Sequence, residues 1–117
     1  MKFVNGAMLG TLIVCPLSEA VAGAEAEYYV KASYYSSGVR TASGEPFDHR
    51  AMTAASKTLP FGARLKLTNP ATGRSVVVRI NDRGPFVRGR DLDLARGAAE
   101  ALGMLEAGTA TLQVARL

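Results

Sequence analysis

Cysteine and histidine are almost absent from this sequence of 117 residues, which has one of each and no tryptophan. A single cysteine cannot form a disulfide within the chain, and one cysteine with one histidine cannot complete a structural zinc site. Acidic and histidine residues do not cluster at metal-ligand spacing outside the site considered below. The sequence therefore excludes a disulfide scaffold and a zinc-held fold, and we expect neither a metal nor another cofactor.

Long hydrophobic runs are also missing. The apolar run at residues 7–14 is far shorter than the roughly 20 residues that a transmembrane helix needs, so we expect no stable membrane span. With 48% hydrophobic and 21% charged residues, the composition is that of one folded domain. The net charge of +4 suits an anionic polymer, but the basic residues lack the aromatic interleaving of single-strand binders. We therefore expect no nucleic-acid partner.

The first 26 residues have the outline of a secretory signal peptide. Lys2 precedes the apolar run, and a stretch of small residues at 20–26 follows it. Overlapping Ala-x-Ala tripeptides in that stretch offer cleavage after Ala22, Ala24 or Ala26. We predict a signal peptide at residues 1–24 and an exported domain at residues 27–117.

Two other interpretations of this segment stay open. One is a buried N-terminal helix, although no polar face recurs at helical spacing. The other is a lipid anchor through Cys15, because the residues before it vaguely resemble a bacterial lipoprotein box. Val14 argues against the anchor, since that box has Gly, Ala or Ser immediately before its cysteine.

From Tyr28 onward, short apolar bursts of period two dominate, which is typical of strands. An alanine-rich segment at residues 94–102, followed by Gly103, predicts one helix. Strands are predicted at residues 27–34, 51–54, 64–69, 75–81, 91–94 and 109–115. Six short strands with one short helix favour a mainly β fold, a small closed barrel without free sheet edges.

Local patterns refine this prediction at three places. Residues 69–73 predict a hairpin loop with glycine at the position that needs a positive φ. Alternation at residues 64–67 predicts that leucines face one side and basic residues the other, whereas Val76–Val78 predict a strand covered on both faces. Asp93 would then lie near the N-cap of the helix.

Three segments are more specific than a generic barrel requires. They are Thr-Ala-Ser-Gly-Glu-Pro-Phe-Asp at 41–48, Thr-Ala-Ala-Ser-Lys-Thr-Leu-Pro-Phe-Gly at 53–62 and Val-Arg-Ile-Asn-Asp-Arg-Gly-Pro-Phe at 78–86. Together with Gly-Arg-Asp-Leu-Asp-Leu at 89–94, they resemble the RlpA-like (rare lipoprotein A) family of double-psi β-barrels. The resemblance implies a six-stranded double-psi barrel, a place in the bacterial periplasm or cell envelope, and lytic transglycosylase activity on peptidoglycan glycan strands. We also expect a monomer.

Glu45 and Asp82 are the candidate catalytic residues. Glycosidic cleavage needs a carboxylic acid that protonates the leaving oxygen, and an anion or dipole beside the developing oxocarbenium ion. Each residue lies in a loop next to a turn former, which favours a place at the barrel mouth. Asp82 matches the catalytic aspartate position of the family that the chain resembles, which makes it the acid and base, with Glu45 as its electrostatic partner. A lytic enzyme needs no water, because the C6 hydroxyl of the muramyl sugar attacks and forms a 1,6-anhydro ring.

The charge on Asp82 depends on its neighbours. Arg79 and Arg83 favour the ionised carboxylate, and a like charge from Glu45 across the cleft favours the protonated form. Period-two alternation puts Arg83 on the face of Arg79 and Asp82 on the other, so we expect Glu45 to be the decisive neighbour. A turn-capping role for Asp82 and a solvated loop carboxylate for Glu45 are the structural alternatives.

Further candidates bind substrate. Ser56 stands where the family usually has an active-site histidine, which weakens the inference to full activity, and His49 is a hypothetical substitute from the neighbouring loop. Strand aromatics stack on sugars or pack in the core, and an aspartate in this region lines the cleft or caps the helix. The substrate-binding candidates are Tyr34, Tyr35, Ser56, Arg83 and Asp93.

Two other functions fit the same residues. One is a non-catalytic, expansin-like barrel that binds or loosens cell-wall polysaccharide, which the loss of the histidine favours. The other is a hydrolase of a different polysaccharide, since a fold alone does not fix a substrate. Retention of both Glu45 and Asp82 favours the transglycosylase.

Overall fold

A computed structural model describes residues 28–38 and 40–117, so the predicted signal peptide and Cys15 lie outside the described residues. The described chain forms mostly strands, as predicted. The elements are β1 (Tyr28–Tyr35), β2 (Thr53–Ser56), β3 (Arg64–Asn69), β4 (Arg74–Asp82), β5 (Leu92–Ala95), α1 (Arg96–Ala101) and β6 (Ala110–Arg116). Among these residues, no helix has the length and hydrophobicity that a bilayer crossing requires.

The strands close into a barrel in the order β1-β5-β2-β4-β3-β6, with β6 pairing back to β1. The pairs β1/β5 and β2/β4 are parallel and the other four pairs are antiparallel. Two parallel crossings inside an otherwise antiparallel ring interlock the two halves of the chain. The predicted fold class, a six-stranded double-psi β-barrel with one short helix, is confirmed.

Alternation along the strands builds the core. In β3, Leu65 and Leu67 are completely buried while Lys66 is exposed, as the sequence predicts. The same rule governs β4, where Val78 is 1% exposed and Val77 is 38% exposed. The prediction that Val76–Val78 are covered on both faces is therefore wrong, because a barrel wall has its core on one side and solvent on the other.

The hairpin between β3 and β4 forms as predicted. The N–H of Gly73 donates to the carbonyl of Asn69 at 2.7 Å, and Gly73 has a φ of +76°. This left-handed conformation favours glycine. The Asn69 amide also donates to the carbonyl of Leu102 at 2.8 Å, which fastens the end of the helical segment to this loop.

The helix α1 is shorter than predicted, since residues 94 and 95 belong to β5. Ladder pairing of β5 with β1 and β2 overrides the helix propensity of this alanine-rich segment. Its N-cap is Ala95, without a side-chain hydrogen bond. The alternative role of Asp93 as the N-cap is therefore wrong, because Asp93 lies inside β5.

Candidate active site

Two carboxylates lie in one row across four strands of the barrel. Ser33 of β1 pairs with Asp93 of β5, Asp93 pairs with Ala55 of β2, and Ala55 pairs with Asp82 of β4. Cross-strand neighbours point to the same face of a sheet, so these four side chains share one face. We call Ser33, Asp93, Ala55 and Asp82 the acid row. Its two aspartates are separated by one strand, which puts their Cα atoms about 10 Å apart.

A β-bulge brings Asp82 into the acid row. On β2, Ala54 pairs with Ile80, and the next residue, Ala55, pairs with Asp82, so that β4 advances by two residues. Ile80 faces the core and is completely buried. Without the bulge, Asp82 would continue the inward face of Ile80. The extra residue, Asn81, turns Asp82 to the outside.

Three donors hold the Asp82 carboxylate in place. The backbone N–H groups of Ala42 and Arg83 each donate to Oδ1 at 2.8 Å. The hydroxyl of Tyr35 donates to Oδ2 at 3.1 Å, and its ring stacks on Phe47 with centroids 4.8 Å apart. Burial raises the pKa of Tyr35, and the charge of Asp82 raises it further, so the hydroxyl keeps its proton. Asp82 thus has a fixed orientation at the end of β4.

Asp93 has different surroundings. It is half-buried, and the hydroxyl of Ser33 donates to its Oδ1 at 3.0 Å. Burial raises the pKa of Asp93, and the charge of Asp82 adds to the rise, while Ser33 and Arg90 oppose it. The acid row therefore contains a half-buried carboxyl group with a raised pKa beside a carboxylate that accepts three hydrogen bonds. Such a pair of unlike carboxyl groups is the arrangement that general acid and base catalysis requires.

Glu45 lies beside β4 on a turn whose ends pair at Arg40 and Pro46. Both of its oxygens bind the Arg79 guanidinium at 2.9 Å, and the Asn81 amide donates to Oε1 at 2.9 Å. The hydrogen bonds from Arg79 and Asn81 lower the pKa of Glu45 to about 2. Contrary to the sequence-based expectation, Glu45 is thus an ion-paired carboxylate and not a bare like charge that faces Asp82. The neighbouring acid in the row is Asp93.

The Glu45 ion pair predicts a pH dependence below neutrality. Because the folded pKa is lowered from 4.5 to about 2, the contribution of Glu45 to stability is fully present above about pH 4.5. It is lost as the pH falls through 2. We expect Arg79→Ala to raise the pKa of Glu45 toward 4.5, measured by an NMR titration of its side-chain carboxyl carbon. Arg50→Ala is the matched control, since Arg50 pairs with Asp48. An unmoved Glu45 titration in Arg79→Ala would contradict the assignment.

Ser56 and Arg83 stabilise the turn that follows β2 by hydrogen bonds to its backbone. The Ser56 hydroxyl accepts the N–H groups of Thr58 and Leu59 at 3.2 and 3.0 Å, and the residue is 3% exposed. The Arg83 guanidinium donates to the carbonyls of Leu59 and Ser56 at 2.9 and 3.2 Å. It also lies 4.0 Å from the Phe61 ring centroid. The Arg83 guanidinium also lies 3.4 Å from the backbone carbonyl of Asp82. The expected roles of Ser56 and Arg83 in substrate binding stay predictions.

The two adjacent tyrosines separate. Tyr34 packs against the core and donates its hydroxyl to the carbonyl of Leu105 at 2.9 Å, which agrees with the core alternative. Tyr35 lies on the opposite face and contacts Asp82. His49 is anchored through its carbonyl to the N–H of Gly97 in α1 at 2.7 Å. That position is at the other end of β2 from Ser56, and the role of His49 as a substitute for the missing histidine stays a prediction.

Sequence reasoning missed Ser33 and Asn81. Ser33 is two residues from Tyr35, and alternation along β1 was sufficient to place it on the same face. Asn81 carried no such signal, because its role depends on the bulge. Its amide binds Glu45, and its Oδ1 is a buried oxygen without a partner in the part of the chain that the structure describes. Within residues 28–38 and 40–117, no group of three or more acidic, histidine or cysteine residues could hold a metal ion.

The family model described as lytic transglycolase matches residues 27–114. The chain belongs to this family. The RlpA-like resemblance is thereby confirmed, since similar proteins carry the name RlpA. A probable endolytic peptidoglycan transglycosylase RlpA from Nostoc sp. is 58% identical over 77 residues, which cover 66% of this chain and 21% of the relative. The endolytic peptidoglycan transglycosylase RlpA of Vibrio cholerae is 48% identical over 87 residues, with 72% and 33% covered.

The chain thus spans about a fifth to a third of the length of these relatives. Solved structures share the barrel at lower identity. The Streptomyces papain inhibitor has a TM-score of 0.66 at 20% identity and covers 80% of this chain and 96% of its own. The expansin of Clavibacter michiganensis has a TM-score of 0.63 at 23% identity, with 79% and 50% covered. These likenesses extend to the fold alone.

Proposed function

We propose that this domain is an endolytic lytic transglycosylase of the bacterial cell envelope. Its substrate is the peptidoglycan glycan strand, and it cuts the bond from N-acetylmuramic acid (MurNAc) to N-acetylglucosamine (GlcNAc). The observation that carries the proposal is the acid row, in which Asp82 and Asp93 share one face in unlike surroundings. The names of the RlpA relatives support the substrate. One chain supplies the whole row, which supports a monomer, and a peptidoglycan substrate supports a location in the periplasm.

The chemistry divides between the two aspartates. The carboxyl group of Asp93 gives its proton to the glycosidic oxygen as the bond from that oxygen to C1 breaks. The C6 hydroxyl of the same MurNAc attacks C1, forms the anhydro ring and loses its proton to the Asp82 carboxylate. One proton leaves the row and one enters it, so no water is consumed. The sequence alone gives Asp82 both proton steps, and the raised pKa of Asp93 favours this division.

Glu45 supports this chemistry from the side. Its ion pair with Arg79 and its bond to Asn81 fix the bulge from which Asp82 projects. Glu45 thus serves as an electrostatic and positioning partner, and its low pKa excludes it as the proton donor near neutral pH.

The product identifies the function. The domain is incubated with peptide-free sacculi, and the digested glycan is analysed by mass spectrometry. We expect 1,6-anhydro-MurNAc ends. Reducing ends would instead indicate a hydrolase, and intact strands would indicate a non-catalytic, expansin-like binder. Either of these outcomes overturns the proposal.

Tyr35→Phe tests the positioning of Asp82. The change removes one hydrogen bond to a carboxylate, worth about 1.5 to 3 kcal/mol, and keeps the ring that stacks on Phe47. We expect kcat to fall by about tenfold or more with KM unchanged, measured from the release of anhydro ends. Tyr34→Phe is the matched control, because its hydroxyl binds the Leu105 carbonyl and should affect stability but not kcat. Equal losses in both variants would refute a specific role for Tyr35.

A further inference from the structure

Ser33 of β1 is the polar member of the acid row that has no part in the proposed chemistry. It is 5% exposed, and its hydroxyl donates to Asp93 Oδ1 at 3.0 Å. The two residues are direct neighbours in the parallel pair of β1 with β5, so the backbone ladder fixes the separation of their side chains. Because the serine is buried, solvent has little access to this bond. The hydroxyl is therefore a fixed partner of the carboxyl group that we propose as the proton donor.

The two oxygens of the Asp93 carboxyl group have unlike surroundings. In the part of the chain that the structure describes, the bond from Ser33 to Oδ1 is the one hydrogen bond of this carboxyl group. In a neutral carboxylic acid, the carbonyl oxygen is a better acceptor than the oxygen that carries the proton. The Ser33 hydroxyl therefore favours Oδ1 as the carbonyl oxygen and leaves the proton on Oδ2.

A hydroxyl suits both charge states of Asp93. It donates to a carboxylate and also to the carbonyl oxygen of the neutral acid, so the bond persists when the proton leaves. Donation to the charged form favours that form, and Ser33 thus lowers the pKa of Asp93 against the rise that burial causes. A side chain without a donor at position 33 would free the carboxyl group to rotate and would raise its pKa further.

Other titratable and charged groups face Asp93 from the neighbouring elements. Asp82 of β4 raises the pKa of Asp93, and Arg90, which precedes β5, lowers it. Tyr35 of β1 keeps its proton, since burial raises its pKa. The neighbour on β2 is Ala55, which has no charge. Replacing Ser33 leaves all of these charges in place, so its effect can be measured separately from theirs.

We propose that Ser33 is a positioning residue for the proton donor, because it selects Asp93 Oδ2 as the oxygen that carries the proton and holds it for transfer to the glycosidic oxygen. This inference rests on the proposed function, in which Asp93 gives that proton. The alternative is a purely structural role, in which the hydroxyl only ties β1 to β5. The ladder already joins these strands at four successive residue pairs, from Ala32 to Tyr35, so a side-chain bond adds little to their pairing.

Ser33→Ala tests this role through the pH dependence of turnover. Cleavage needs a protonated Asp93, so kcat falls on the alkaline side as the pH rises through the pKa of Asp93. Loss of the donor raises that pKa, and we expect the alkaline limb to move up by about one pH unit. On the plateau, kcat should fall by about fivefold with KM unchanged, because the carboxyl group loses its fixed orientation. The measurement is the release of anhydro ends over a series of pH values.

Two further variants separate positioning from stability, with a thermal unfolding curve for each protein. Ser33→Thr keeps the hydroxyl and suits a strand, so it should keep the native alkaline limb and most of the plateau rate. Ser75→Ala is the matched control, since its hydroxyl pairs with that of Thr68 near the other end of β4 from Asp82, and it should change neither. If the extra methyl group of threonine unfolds the barrel, the comparison of the two alanine variants decides. An alkaline limb that stays in place in Ser33→Ala would overturn the inference.

A second measurement needs no cleavage. An NMR titration of the Asp93 carboxyl carbon reports its pKa directly, and we expect a higher pKa in Ser33→Ala than in the unsubstituted domain. Anhydro ends from the unsubstituted domain with an unmoved Asp93 titration in the variant would leave the transglycosylase standing and remove the role of Ser33. A moved titration without anhydro ends would remove the transglycosylase, and Ser33 would then be the partner of a carboxyl group that cuts no glycan.

Discussion

Asp82→Asn is expected to reduce the release of anhydro ends by about a thousandfold and to leave the barrel folded. General acid and base groups contribute about a hundredfold to ten-thousandfold to a rate, and an amide cannot accept the proton of the C6 hydroxyl. The amide oxygen can still accept the N–H groups of Ala42 and Arg83 that bind Oδ1 in the native chain. The Tyr35 hydroxyl can rotate and accept a bond from the new amide. The measurement is mass spectrometry of digested glycan, with a thermal unfolding curve for each protein.

Asp48→Asn is the matched control for this loss. Asp48 is an exposed carboxylate whose contacts are with Arg50 of its own loop, so its charge should not matter for cleavage. We expect near-native activity from the control. Activity within tenfold of the native rate in Asp82→Asn would show that the acid row does not carry the reaction.

Among the glycines of the described chain, we expect the change to alanine to lower the free energy of unfolding most at Gly97. A Cβ atom at this position would lie 2.4 Å from the carbonyl oxygen of Arg50, which is backbone and cannot rotate away. The N–H of Gly97 also holds the carbonyl of His49 at 2.7 Å, so the loop and α1 cannot separate without losing this bond. Overpacking of this kind costs about 1 to 3 kcal/mol. In a domain of this size, that corresponds to a fall in Tm of about 5 to 20 °C.

Glu100→Ala, on the exposed side of the same helix, is the control for helix propensity and should change Tm by only a few degrees. Differential scanning calorimetry of both variants measures the difference. Alanine is the better helix former, so an unchanged or higher Tm in Gly97→Ala would mean that the loop moves freely away from α1.

The strands were predictable from sequence because their alternation is a local property. Leu65 and Leu67 alternate with basic residues, and one row of buried side chains in a barrel wall produces that pattern. The hairpin at residues 69–73 was predictable for a similar reason, since Gly73 is required by the backbone of the turn itself.

The parts that sequence alone did not give depend on pairing between distant segments. Leu94 and Ala95 have the composition of a helix, but the ladders with β1 and β2 hold them in β5. The bulge at Asn81 is visible only when β2 lies beside β4, and it decides which face Asp82 occupies. The ionic partner of Glu45 is likewise 34 residues away in the sequence. Candidate residues could thus be named, but their electrostatic partners could not.

Tyr35 belongs to β1 and yet holds an aspartate at the end of β4, with two other strands between them in the barrel order. Its ring stacks on that of Phe47, an apolar residue in the loop before β2. A bulkier or smaller side chain at position 47 would therefore tilt the Tyr35 ring and change the direction in which the Asp82 carboxylate points. A substitution in that loop can thus change the orientation of Asp82 while both aspartates stay the same.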